Sequence, residues 1–125
     1  MKDYHEPVDE MQPEDRNYVR ALASLKEEIE AVDWYQQRVA TCTDPQLKAI
    51  LAHNRDEEIE HACMTLEWLR RNMPGWDEEL RTYLFTSGDI TALEEGEGVE
   101  EVEVEKSAVD ESPAAAGLGL GGMKG

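Results

Sequence analysis

Basic residues are scarce in this chain of 125 residues: 12 Lys and Arg face 29 Asp and Glu, for a formal charge of −17. A phosphate backbone rewards Lys and Arg, so the imbalance argues against a nucleic-acid partner. It argues equally against an anionic membrane surface, and it suits a protein that attracts cations. Long apolar runs are missing as well. No stretch approaches the ~20 apolar residues of a membrane span, and the opening MKDYHEPVDEMQPED has no apolar centre of the kind a signal peptide carries. The expected compartment is the cytoplasm. Cysteine is limited to Cys42 and Cys63. At ~1.5 Å rise per residue the two would lie roughly 25 to 30 Å apart in one helical hairpin, too far to bridge. Both are expected to be reduced, with Cys63 a small buried residue. No turn signal flanked by alternating apolar residues occurs, so no sheet is expected.

What the chain does contain is helical. Up to about Thr86, apolar, acidic and basic residues are mixed as in folded helices. From Ser87 onward Glu, Gly, Ala, Ser and Val dominate and no aromatic residue occurs. Residues 1–13, with two prolines, read as a flexible arm, 14–86 as a helical domain, and 87–117 as a disordered acidic linker. A first helix is expected from Pro13 to Cys42, with Leu22, Leu25, Ile29, Val32 and Val39 at helical period. Asp44 is placed to cap a second helix, and Pro45 to open it at a position where its missing N–H costs nothing. That helix should run to Asn72 before Pro74-Gly75 breaks it, and a short third helix should span Asp77 to Phe85. The expected fold is all-α: an antiparallel two-helix hairpin plus a short third helix. So small a folded part is marginal for a lone core, and oligomerisation is a usual remedy.

Two stripes define the seam of the hairpin. Ala21, Leu25, Glu28, Val32, Tyr35 and Val39 share one face of the first helix. Leu47, Leu51, Asn54, Glu58, His61, Thr65 and Trp68 share one face of the second. Each is apolar at its ends and ionisable at its centre. A buried carboxylate without a partner is expensive, so two helices that each place one at mid-height suggest a shared metal. Glu58 and His61, at i and i+3, lie on one face and can chelate one ion. A di-iron carboxylate bundle takes one Glu from each of two helices and Glu-x-x-His from each of the other two. This chain has one copy of each kind, so a two-fold axis would complete the set. The competing reading is a solvated acidic face, since Glu-x-x-His arises readily in Glu-rich helices. The same alternative holds for His53, Glu57 and Glu60 on an adjacent face, and for Glu27 and Glu30 beside Trp34. Trp34 and Tyr35 read as packing residues.

The segments EEIEAVDWY (27–35), ILAHNRDEEIEHA (50–62), MTLEWLRR (64–71) and LRTYLFT (80–86) resemble the encapsulated ferritin family over nearly the whole folded part. The resemblance implies a ferritin-like four-helix bundle built from two subunits, with a di-iron ferroxidase centre at their interface and five such dimers in an open ring. It implies Glu28, Glu58 and His61 as ligands of two Fe per dimer, with Tyr35 beside them. Glu27 and Glu30 match the family's entrance site, and His53, Glu57 and Glu60 a surface cation position, with calcium the candidate ion. The product would be oxidised iron delivered into an encapsulin nanocompartment. The alternatives are a non-redox cation-binding scaffold and a cargo adaptor of the shell. Residues 118–125, LGLGGMKG, are similar to cargo-loading peptides, with Leu118, Leu120 and Met123 as the apolar residues that would fill shell pockets. Gly122 stands where Ser is usual, and Met123 where Leu is usual.

Overall fold

The computed structural model describes residues 4–96. Most of the expected linker, and Leu118, Leu120 and Met123, lie outside the described residues. Among those residues the chain forms three α-helices and two short 3-10 helices, with no strand. Helix α1 spans Pro13–Thr41, α2 Pro45–Asn72 and α3 Trp76–Tyr83. Among the described residues no helix is long and apolar enough to cross a membrane. Within the expected N-terminal arm, Val8–Glu10 form a 3-10 helix.

Local chemistry sets the helix ends. Pro13 occupies the first turn of α1, where Glu14 and Asp15 complement the positive end of the helix, and Arg38 stands in the last turn. The Asp44 carboxylate accepts the Leu47 N–H at 2.8 Å and so caps α2. Between the helices the chain reverses over residues 42–44. The inter-helix hydrogen bonds show the antiparallel order, because partner numbers fall on one helix as they rise on the other. Arg55 donates to Gln36, Thr65 to Glu28, and the Tyr18 hydroxyl to the Asn72 carbonyl.

The seam follows the two stripes except at the turn end, where Leu47 is 48% exposed. Ala21, Leu25, Glu28, Val32, Tyr35 and Val39 are all partly buried, as are Leu51, Asn54, Glu58, His61 and Thr65. Near the open end Trp68 packs edge-on against Tyr18, with centroids 6.4 Å apart. Full burial is nevertheless rare: Leu69 is the fully buried residue of the hairpin. Ile29, Trp34, Ile50 and Met64 each keep half or more of their surface exposed. Two expectations are thereby corrected. Trp34 is half exposed and not enclosed within the hairpin, and Cys63 is exposed.

A second compact unit begins at Asp77. Gly75, at φ 103°, supplies the left-handed residue that separates α2 from α3. Helix α3 carries Asp77, Glu78 and Glu79 in its first turn, and Arg81 pairs with Asp77 at 2.9 Å. It stops short of the expected Phe85, which takes φ 61° and cannot continue a right-handed helix. Order also reaches further than expected. Residues 91–95, expected within the disordered linker, form a 3-10 helix. The Asp89 carboxylate accepts from both the N–H and the hydroxyl of Thr91, and Leu93 is 2% exposed. The Asp89–Thr91 contacts and one buried leucine hold a segment whose composition alone reads as linker.

Candidate metal centre

Glu28 lies near the middle of α1, and Glu58 and His61 near the middle of α2, so each is held by a helix packed along its whole seam. Regular helix geometry sets Glu58 one turn before His61, and the Glu58 Oε1 stands 3.6 Å from the His61 Nδ1. Both side chains are partly covered, at 28% and 42% exposure. Across the seam, one oxygen of Glu28, Oε2, lies 3.4 Å from the Thr65 hydroxyl. The other, Oε1, is buried and has no hydrogen-bond partner. Leaving a buried acceptor unmade costs about 1–3 kcal/mol, more when it is charged. Such an atom calls for a donor or a cation that the hairpin itself does not provide.

Thr65 was visible in the sequence only as a member of a packed stripe. Its hydroxyl also lies 3.2 Å from the His61 carbonyl, so one side chain touches both the α1 carboxylate and the backbone of the α2 imidazole. Glu57 likewise has a position that face-by-face reading did not give. Its Oε2 is 3.7 Å from the His53 Nε2, and its Oε1 is 3.9 Å from the His61 Nε2. One carboxylate thus stands between an imidazole of the outer set and one of the central set. Its neighbours at i−4 and i+4 were the available signal.

The remaining residues are placed more simply. Glu27, Glu30, His53 and Glu60 are exposed along the helix flanks, with His53 open to solvent over 70% of its side chain. Tyr35 sits about two turns along α1 from Glu28, and the Arg38 guanidinium lies 5.1 Å from its ring centroid. Among the described residues no three His, Cys, Asp or Glu side chains come together as a group able to hold a metal ion. One chain therefore brings Glu58 to His61 and sets Glu28 across the seam without closing a three-ligand site. Further along α2, Glu67 is clamped by hydrogen bonds from Arg70 and Arg71, at 2.8 and 2.6 Å, which hold its carboxyl down at about 2.

Chemically, the centre offers two carboxylates and one imidazole, the mixed oxygen and nitrogen donors that suit Fe(II) and similar divalent ions. Known proteins resemble this chain over most of its length. A ferritin-like protein of Thermotoga maritima is 70% identical over 92 residues, which cover 74% of this chain and 81% of that protein. An encapsulated ferritin-like protein of Rhodospirillum rubrum is 55% identical over 127 residues, covering 97% of this chain and 87% of that one. A crystal structure of a Nitrosomonas europaea protein superposes with a TM-score of 0.68 at 60% identity, over 70% of this chain and 96% of that one. Residues 3–87, which hold all three α-helices and every central side chain described above, match the family described as EncFtn-like, and the chain belongs to that family.

Proposed function

We propose that the protein is a ferroxidase, which oxidises Fe(II) to Fe(III) at a di-iron centre shared by two copies of the chain. The observation that carries this reading is the buried, unpartnered Oε1 of Glu28, set across the seam from Glu58 and His61. A cation satisfies that oxygen, and a second copy supplies what one chain lacks. Doubling Glu28, Glu58 and His61 about a two-fold axis gives four carboxylates and two imidazoles, the ligand count of a ferritin-like di-iron bundle. The sparse burial of the hairpin supports the same step, since Ile29, Ile50, Ile59 and Met64 present apolar surface that a partner would cover.

Iron is the substrate. Each Fe(II) gives up one electron, so the pair supplies the two electrons that dioxygen or hydrogen peroxide accepts. Glu28, Glu58 and His61 bind and hold the two ions together, and Tyr35 lies toward one end of the same seam. Glu27 and Glu30 on the flank of α1 gather cations for it, while His53, Glu57 and Glu60 form a separate surface position suited to calcium. Dimers join into an open annular decamer, and residues 118–125 dock it inside an encapsulin shell, where the oxidised iron is stored. The family match and the encapsulated relative from Rhodospirillum rubrum support the shell as partner.

The test is anaerobic loading with Fe(II) followed by rapid mixing with air. The parent should develop a transient absorbance and form Fe(III) rapidly. Glu58→Ala and His61→Ala should abolish the rapid phase while leaving helix content intact by circular dichroism. Metal should also shift the metal-free protein toward larger species in analytical ultracentrifugation. Oxidation at the parent rate in either variant would show that the centre lies elsewhere.

A further inference from the structure

The hydroxyl of Thr65 has no place in the ligand set, yet it is the side chain of α2 that reaches the Glu28 carboxylate. It lies 3.4 Å from Oε2 of Glu28 and 3.2 Å from the His61 carbonyl, and it carries one hydrogen to share between them. A threonine inside a helix ordinarily satisfies its hydroxyl on the carbonyl four residues back, here that of His61. A second acceptor on the facing helix sets Thr65 apart from the two other threonines of that helical pattern, Thr41 and Thr82, whose hydroxyls bond the Gln37 and Glu78 carbonyls at 3.2 and 3.1 Å. The consequence falls on Glu28. With Oε2 beside a donor at 3.4 Å, the carboxylate is biased in rotation and Oε1 is left as the oxygen without a protein partner.

We propose that Thr65 is a positioning residue for the metal centre: its hydroxyl holds Oε2 of Glu28 so that the carboxylate meets a metal through Oε1 alone. The inference rests on the reading of Glu28 as a metal ligand. Carboxylates that ligate metals are themselves held by hydrogen bonds from outside the ligand set, and losing such a partner costs on the order of 10- to 100-fold in affinity. Without the Thr65 donor both oxygens of Glu28 are equivalent, and the group is free to chelate or to swing. The same hydroxyl ties α1 to the turn of α2 that carries His61, so ligands on two helices are set by one small side chain.

Thr65→Val keeps the branched shape and removes only the donor. The His61 carbonyl keeps its helical N–H partner, so the variant should fold. The full-length parent, Thr65→Val, Thr65→Ser and Glu28→Gln are titrated with Co(II) alone under anaerobic conditions. Affinity is read by calorimetry and coordination by infrared difference spectra of the carboxylate stretches. The parent should bind Co(II) with the wide separation of asymmetric and symmetric stretches that marks a one-oxygen carboxylate ligand. In Thr65→Val the affinity should fall about tenfold and the separation should narrow as Glu28 becomes bidentate. Thr65→Ser restores the hydroxyl, so it should keep the parent's affinity and bands. A Thr65→Val protein with the parent's affinity and bands overturns the proposal, and so does a Thr65→Ser protein as weak as Thr65→Val. Failure of the underlying reading looks different: Glu28→Gln would then bind Co(II) as the parent does, whereas failure of the Thr65 variants alone leaves Glu28 a ligand.

Discussion

Replacing Glu28 by Leu should stabilise the metal-free protein while destroying its central cation site. The parent buries Oε1 of Glu28 without a partner, at a cost of about 1–3 kcal/mol. Leu is close in size and brings no polar atom to satisfy. Little is lost in exchange. The Thr65 contact to Glu28 is long at 3.4 Å, and the hydroxyl keeps the His61 carbonyl at 3.2 Å as its acceptor. The net gain should be about 1–2 kcal/mol, which for a domain of this size raises the unfolding midpoint by roughly 5–10 °C. The assay is thermal unfolding followed by circular dichroism, in chelator and at one protein concentration, because self-association makes the midpoint concentration-dependent. Adding Co(II) should invert the order. At a hundred times its dissociation constant a site-bound ion contributes about 2.7 kcal/mol to the parent and nothing at this site to the variant. A metal-free Glu28→Leu protein that melts below the parent would refute the idea that Glu28 is held at a cost to the fold.

Other outcomes follow from the flanks and the ends. The Glu27→Ala, Glu30→Ala double variant should take up iron more slowly, or select less well among cations, while its di-iron absorbance persists in stopped-flow traces. Glu67 is ionised in the folded chain down to about 2 against an ordinary 4.5, because Arg70 and Arg71 hydrogen-bond to it. Its contribution to stability is therefore complete above pH 4.5 and is lost as pH falls from there toward 2. Exposure to solvent keeps that contribution small, so Glu67→Gln should flatten the dependence of the melting midpoint on pH only modestly, and only within this window. Removal of residues 118–125 should leave iron oxidation unchanged and abolish co-purification with the shell protein. Retained packaging would move the docking signal into the helices.

Much of the hairpin was legible because its punctuation is local. Pro13, Asp44 and Pro45 fix helix starts by backbone chemistry that needs no tertiary context, and the structure begins α1 and α2 at those residues. The two stripes were legible because helical period alone decides which side chains share a face. What the sequence hid depends on neighbours it does not list. Nothing about phenylalanine announces a left-handed residue, so the end of α3 came earlier than its apolar pattern implied. The short helix at Thr91–Glu95 hangs on Leu93, one apolar residue whose burial a composition count cannot see. At the centre, residue types singled out Glu28, Glu58 and His61 as candidate ligands, while Thr65 was only a member of the α2 stripe and Glu57 of an adjacent face. The contacts of Thr65 and Glu57 lie in distances between side chains, and those depend on how far apart two packed helices settle.

The three-residue reversal at 42–44 also bears on the order of assembly. Closing a longer loop costs more chain entropy, about 0.6 kcal/mol for each doubling. Cross-seam bonds span 19 residues at Arg55–Gln36, 37 at Thr65–Glu28 and 54 at Tyr18–Asn72. Chain entropy alone therefore favours closing from the turn outward, while Leu69, the fully buried residue of the hairpin, anchors the far end. Glu28 is halfway along. Amide exchange should be slowest around Leu69 and faster beside the turn, where Leu47 and Ile50 are about half exposed.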